Sequence, residues 1–397
     1  MTEKKLKINL LVTAILVYYW ALLFPQVNME CADAIKKLLV ILSIGLVSIY
    51  CIKVKVLMLQ LSLKGVFWLL IFGMIFLVSL YTRDFYLLAL LVFVFASKRA
   101  DSGRIFHDVY VSLGLFTVMI VFLSLIGILH NIVDVRYTAF DYVWGGQRNR
   151  YSFGFKWPLV LPDILVFWTL YYQIVRKKLS MVCFVILQIF GLLAFYFCNS
   201  RLGFVALEMT FFLCFVCNYL NKHDNHVSSI VKKIIIFMAK IIFPSIALLS
   251  IVLLSLYQEG QGIAYLLNGV LSNRLQWAAM NFNLYPAQII NMTNFDAFAE
   301  NVVYTLDNGY YYAILRYGYC FIVLVSAVCY KLTGFFEREN NLYGMIAVIV
   351  LSIMNFIDNN LTSHGFFPIL IVGLIAVKQD LRRKHYKKSA NIRDFYT

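Results

Sequence analysis

Charge is scarce in this chain. Asp, Glu, Lys and Arg make up 14% of its 397 residues, while 62% are hydrophobic; a soluble domain carries about 25% charged and about 45–50% apolar residues. That balance excludes a water-soluble globule, because so much apolar surface has no core large enough to hide in. A Gly/Ser-rich linker, a clear internal repeat and a separate soluble domain are also missing. The eight cysteines show neither metal-ligand spacing nor a disulfide framework. The start, MTEKKLKINLLVTAILVYYWALLF, has a basic region and an apolar run but no small-residue cleavage site, so it reads as a retained first helix rather than a signal peptide.

What the chain does have is long apolar runs. About 20 apolar residues span a bilayer core, and in lipid every backbone group must be paired internally, so spans are helices. Twelve spans are expected, at 8–24, 38–52, 65–81, 84–97, 107–129, 159–175, 181–197, 202–220, 234–257, 312–330, 342–357 and 365–378. The run at 84–97 is short, which leaves eleven as an alternative count, and a pair could be re-entrant. The fold expected is an all-α integral membrane protein in which residues 1–397 form a single polytopic membrane domain. Most Lys and Arg fall in segments that share a side with the N-terminus, such as Lys4, Lys5 and Lys7, Arg176–Lys178, and the basic tail 379–397. By the positive-inside rule both termini are then cytoplasmic. The net charge of +15 lies in short clusters between apolar runs rather than on one face, which excludes a nucleic-acid partner.

Two outer loops are long, at 130–158 and 258–311; the second is semi-polar and is expected to form short interfacial helices. The outer basic residues are mainly arginines: Arg83, Arg136, Arg148, Arg150, Arg201, Arg274 and Arg316. A guanidinium grips phosphate oxygens in a two-pronged way and stays charged when partly desolvated. The set suits an anionic group at the membrane surface, such as a lipid diphosphate; pairing with Asp, Glu or lipid headgroups is the structural alternative. Arg201, in the short turn CNSRLGF, is the sharpest individual, since a charge at the membrane edge needs a partner or a task. Glu208 is expected in a structural pair, with Lys240 as one mate. Asp163, beside Pro162, marks either a break facing a cavity or a simple helix start. Asp141, Asp296, Glu300 and Asp307 are candidate general bases, and nothing in their spacing selects one. Aromatics such as Trp144, Trp277, Tyr304 and Tyr311 suit sugar stacking or an interfacial belt equally.

Four stretches carry a family resemblance: NRYSFGFKWP, CNSRLGFVALEM, SNRLQWAAMNF and DNGYYYAILRYGY. In this order, and with one large outer loop late in the chain, they resemble the Wzy-type polymerases of bacterial O-antigen and capsule, relatives of the O-antigen ligases. Trp157 and Leu159 stand where the family often has histidine and asparagine, and YPAQIINM replaces a glycine-rich stretch. His130 and His364 lie at span ends and do not match the outer histidine of the ligases.

The resemblance implies a fold related to membrane glycosyltransferases that use lipid-linked donors, and a metal-independent inverting transfer without cofactor. Undecaprenyl-diphosphate-linked oligosaccharide repeat units would be joined at the outer face of the bacterial cytoplasmic membrane. Arg201 and Arg274, with Asp307, are the expected catalytic residues. Arg148, Arg150, Arg316, Asn308, Tyr311 and Trp277 are the expected substrate-binding residues. The bilayer is a partner, with a chain-length regulator and a flippase as candidate companions. The alternatives are an O-antigen ligase, a lipid-linked oligosaccharide flippase or other transporter, and a structural subunit of an envelope complex.

Overall fold

The structure is a computed structural model that describes residues 3–54, 73–81, 84–97, 102–136, 148–223, 225–271, 273–291, 293 and 306–379. Its helices are α1 Glu3–Leu23, α2 Ala32–Val54, α3 Tyr86–Ala96, α4 Ser102–Leu125, α5 Val160–Arg176, α6 Met181–Cys198 and α7 Arg201–Lys222. They continue as α8 His226–Gln258, α9 Gly262–Val270, α10 Arg274–Leu284, α11 Gly309–Tyr317, α12 Tyr319–Arg338, α13 Leu342–Ile357 and α14 Phe367–Gln379. A further helical stretch covers 73–81.

Six of these, within α2, α4, α6, α7, α8 and α12, are long and apolar enough to cross a membrane. Their outward faces carry large apolar side chains. Leu38, Ile41 and Ile52 on α2, Leu115, Val118 and Phe122 on α4, and Val182 and Ile189 on α6 are all exposed. Apolar patches of that extent are not left in water; facing acyl chains they cost nothing. The chain is therefore a multi-pass protein of the helical membrane class.

Three expectations need correction. The helix at the expected span 84–97 is α3, with 11 residues and so about 16 Å long, half the thickness of a hydrocarbon core. The expected continuous span 312–330 is broken at Gly318, which separates α11 from α12. The long loop 130–158 is not purely irregular in an all-α fold. Val133–Arg136 (β1) and Arg148–Tyr151 (β2) form a two-stranded antiparallel sheet, pairing Asp134 with Arg150 and Arg136 with Arg148. The second long loop does hold short helices, α9 and α10, as its apolar pieces imply.

The chain divides into two compact units. The first comprises residues 1–49, 101–236 and 340–350; the second comprises 50–100, 237–339 and 351–397. In the first unit α5 packs against α4, α6 and α7. Ile164, Val166, Phe167, Leu170, Tyr171 and Ile174 are buried along it, so its apolar surface goes to protein contacts. The segment after α1 pairs with the end of the first long loop. Asn28 N donates to Gly154 O (2.8 Å) and Lys156 N to Gln26 O (2.7 Å).

In the second unit Leu253 and Leu254 of α8, Leu275, Ala278 and Ala279 of α10, and Tyr311 of α11 form one apolar cluster. This cluster seats the second long loop. Lys378 ends the last expected span, just before the basic tail. Its ammonium caps α3, donating to the carbonyls of Val94 (2.6 Å), Phe95 (2.9 Å) and Ser97 (3.1 Å). A cation there satisfies orphan carbonyls and complements the helix dipole.

Candidate functional site

In the first unit, the turn that carries Arg201 is built by local capping. α6 ends on Asn199, whose φ of 48° is left-handed, a conformation asparagine tolerates. Ser200 then caps α7, its Oγ accepting from Gly203 N at 3.3 Å. Gly203 permits a close approach to the start of α5. A Cβ there would lie 2.5 Å from Pro162 Cβ and 3.5 Å from Asp163 Oδ1. Asp163 is buried in the first turn of α5, where a carboxylate complements the helix dipole. Of its two sequence readings, the helix-start position is the one observed. Arg201 is the first residue of α7 and is exposed.

The β1–β2 ladder brings a second arginine to the same turn. Arg150 is 7% exposed. Its Nε donates to Cys198 O at 3.1 Å, and its Nη1 lies 3.4 Å from Asp134 Oδ2. Arg150 thus ties the first long loop to the residues just before Arg201. Arg148 lies two residues earlier on β2, opposite Arg136; their side chains fall outside the described residues.

The expected Glu208–Lys240 pair is not formed. Glu208 Oε1 accepts from Gln188 Nε2 at 2.5 Å, within the α6–α7 pair. Lys240 instead meets Glu337 at 2.9 Å, on the helix beside its own in the second unit.

In the second unit, Arg274 opens α10. Its Nη2 lies 3.3 Å from Asp307 Oδ2, with the arginine side chain 18% exposed and the aspartate 35%. Arg274 Nε is buried and has no hydrogen-bond partner among the described residues. The guanidinium is therefore oriented by a carboxylate on one side and retains a desolvated donor. Trp277 lies three residues on, within one turn of the same helix.

Asn308 follows Asp307 and caps α11. Its Oδ1 accepts from Tyr310 N (2.9 Å) and Tyr311 N (3.1 Å), while its Nδ2 donates to Phe356 O at 2.8 Å. Tyr311 is buried and its hydroxyl donates to Ser250 O at 2.6 Å. Asn308 and Tyr311 thus hold the start of α11 against its neighbours.

Arg316 is engaged differently. Its Nε lies 2.8 Å from Asp84 Oδ2, and it bonds the Tyr312 hydroxyl while Tyr317 bonds Asp84. This buried group joins α11 to the segment before α3. Sequence reasoning missed Asp134 and Asp84 as arginine partners, because nothing local links residues so far apart in the chain. Arg83, Asp141, Trp144, Asp296, Glu300 and Tyr304 lie outside the described residues.

The structure places the candidate residues in two groups: Arg150 beside the Arg201 turn in one unit, and Arg274, Asp307 and Asn308 in the other. No protein-family profile, curated protein or solved structure matches the chain.

Proposed function

We propose that this protein polymerises undecaprenyl-diphosphate-linked oligosaccharide repeat units at the outer face of a bacterial cytoplasmic membrane. In this reading about twelve helices cross the bilayer, both termini are cytoplasmic, and the two long loops face outward. The growing chain is the donor. A hydroxyl of the incoming unit attacks the anomeric carbon of its reducing-end sugar, the new glycosidic bond forms, and the bond to the diphosphate oxygen breaks. The hydroxyl proton passes to a base, and undecaprenyl diphosphate leaves with the bonding electrons. The diphosphate ester already activates the sugar, so neither nucleotide sugar nor ATP is required.

The observation that carries this reading is Arg274. It is a largely buried guanidinium in the second long loop, held by Asp307 and keeping an unbonded Nε–H. Fixed cationic donors in a partly dry site stabilise the charge that grows on a leaving diphosphate. Asp307 holds the fork, and Asn308 fixes the start of α11 beside it. Arg201, with Arg150 at its turn, is the candidate cation of the first unit.

Deleting the gene and analysing the cell's glycans tests the proposal. Glycans capped at a single repeat unit support it. Long chains stranded on the lipid carrier indicate a ligase, and an unchanged glycan pattern refutes both. One observation favours a transporter as the second reading: the break at Gly318, since broken helices line the midplane sites of transporters. Failure of the deletion strain to present any carrier-linked sugar outside would favour that alternative.

A further inference from the structure

Residues 355–364 join the end of α13 to α14 and pack beside the start of α11. The carbonyl of Phe356 accepts from Asn308 Nδ2, and the carbonyl of Leu361 accepts from the Tyr86 hydroxyl at 3.2 Å. Gly309 lies against this segment: a Cβ there would sit 3.1 Å from Asn355 Oδ1 and 3.3 Å from Leu361 Cβ. The missing side chain lets the start of α11 pack closely beside the Asn355 amide.

That amide is unusual. Asn355 is 0% exposed, yet among the described residues neither its Nδ2 nor its Oδ1 has a hydrogen-bond partner. Asn360, 4% exposed, has an unbonded Nδ2, and Asn359 an unbonded buried Oδ1. Folded proteins rarely leave such groups unpaired, so each one calls for an explanation. Asp358, Asn359, Thr362 and Ser363 in the same segment are partly exposed, which gives access from outside.

We infer that residues 355–363, together with Gly309, form a hydroxyl-binding subsite that takes the uncharged acceptor sugar; the assignment of that sugar as acceptor rests on the function proposed above. The unbonded set contains two donors and two acceptors. A phosphate only accepts and would leave both amide oxygens unpaired. An ammonium only donates and would leave both NH₂ groups unpaired. A hydroxyl does both, and neighbouring hydroxyls on a sugar ring can serve several amides at once. Asp358 adds a negative charge that disfavours an anion and can accept from a further hydroxyl. The segment meets Asn308 and Gly309, the two residues that follow Asp307, the carboxylate partner of Arg274.

Saturation-transfer NMR on the full-length protein in lipid nanodiscs tests this. The probes are methyl glycosides of hexoses, 6-deoxyhexoses and N-acetylhexosamines, with inorganic pyrophosphate titrated separately by calorimetry. At least one glycoside is expected to bind. Asn355→Leu is expected to weaken it about tenfold, the value of one or two hydrogen bonds, without changing pyrophosphate affinity. The variant's melting temperature should be unchanged or higher, because it removes an unpaired buried amide. If Asn355→Leu does not purify folded, Asn360→Ala decides by the same criterion. Equal glycoside binding by the folded variant, or no glycoside binding by the wild type, overturns the subsite. Glycoside binding without pyrophosphate binding supports the subsite and counts against the diphosphate reading.

Discussion

The Nε–H of Arg274 is a buried donor without a hydrogen-bond partner among the described residues, while its Nη2 meets Asp307 and its Nη1 donates to Leu271 O at 3.5 Å. A lysine at this position would keep the charge but lose the planar fork and its fixed direction. Arg274→Lys should therefore restore little of the activity lost in Arg274→Ala. Loss of one preorganised donor is expected to lower the transfer rate about 10²–10³-fold, read as polymer formed per unit time by protein that inserts at normal levels. Arg201→Ala is likewise expected to abolish long polymer while leaving insertion intact; full-length polymer from it would remove Arg201 from the mechanism.

His364 gives a prediction of a different kind. It is buried, and burial lowers its pKa from 6.5 to about 4, with Asp358 opposing the shift. The unfolded chain then takes up this proton at a higher pH than the folded one. The contribution to stability is complete above about pH 6.5 and is lost as pH falls toward 4. Melting temperatures measured from pH 7.5 down to 4.5 should decline, and His364→Phe should flatten that decline.

At the level of elements, the break between α11 and α12 depends on one residue. Gly318 has φ 87° and ψ 175°, a region essentially restricted to glycine. The second long loop passes through the gap. Tyr319 N donates to Gln288 O (3.1 Å), Cys320 N to Ile289 O (2.9 Å), and Asn291 N to Tyr317 O (3.2 Å). Backbone groups freed by the break are thus paired by the loop, as a membrane environment demands. A Cβ at 318 would lie 2.5 Å from Ile289 O. Gly318→Ala should cost about 1–3 kcal/mol from the dihedral alone, with the backbone clash added. Folded yield in detergent and melting temperature would both fall, and a variant with wild-type melting would refute this account of the break.

Most helices were legible in the sequence because hydropathy in a lipid-facing helix is a local property; α6 and α7 appear almost where their apolar runs end. The break was not legible, because Gly318 interrupts an otherwise continuous apolar run and its meaning comes from a loop 30 residues earlier. The β1–β2 ladder was missed for a similar reason: each strand has only four residues and gains meaning from its partner. In the candidate site the arginines could be singled out by type, since few charges occur at all. Their partners could not, and the Asn355 subsite escaped notice because uncharged amides stand out only once burial shows them unpaired.

For the whole molecule, the large apolar side chains exposed on α2, α4 and α6 place it in a bilayer. The reaction proposed above takes a substrate that is itself lipid-anchored and anionic. The most direct test is reconstitution of the purified full-length protein in liposomes with an undecaprenyl-diphosphate-linked repeat unit from its own cell, and no nucleotide sugar, ATP or other protein. The account predicts a ladder of products differing by one repeat unit, with one undecaprenyl diphosphate released per bond formed. Intact repeat units remaining after incubation with correctly inserted protein would contradict it.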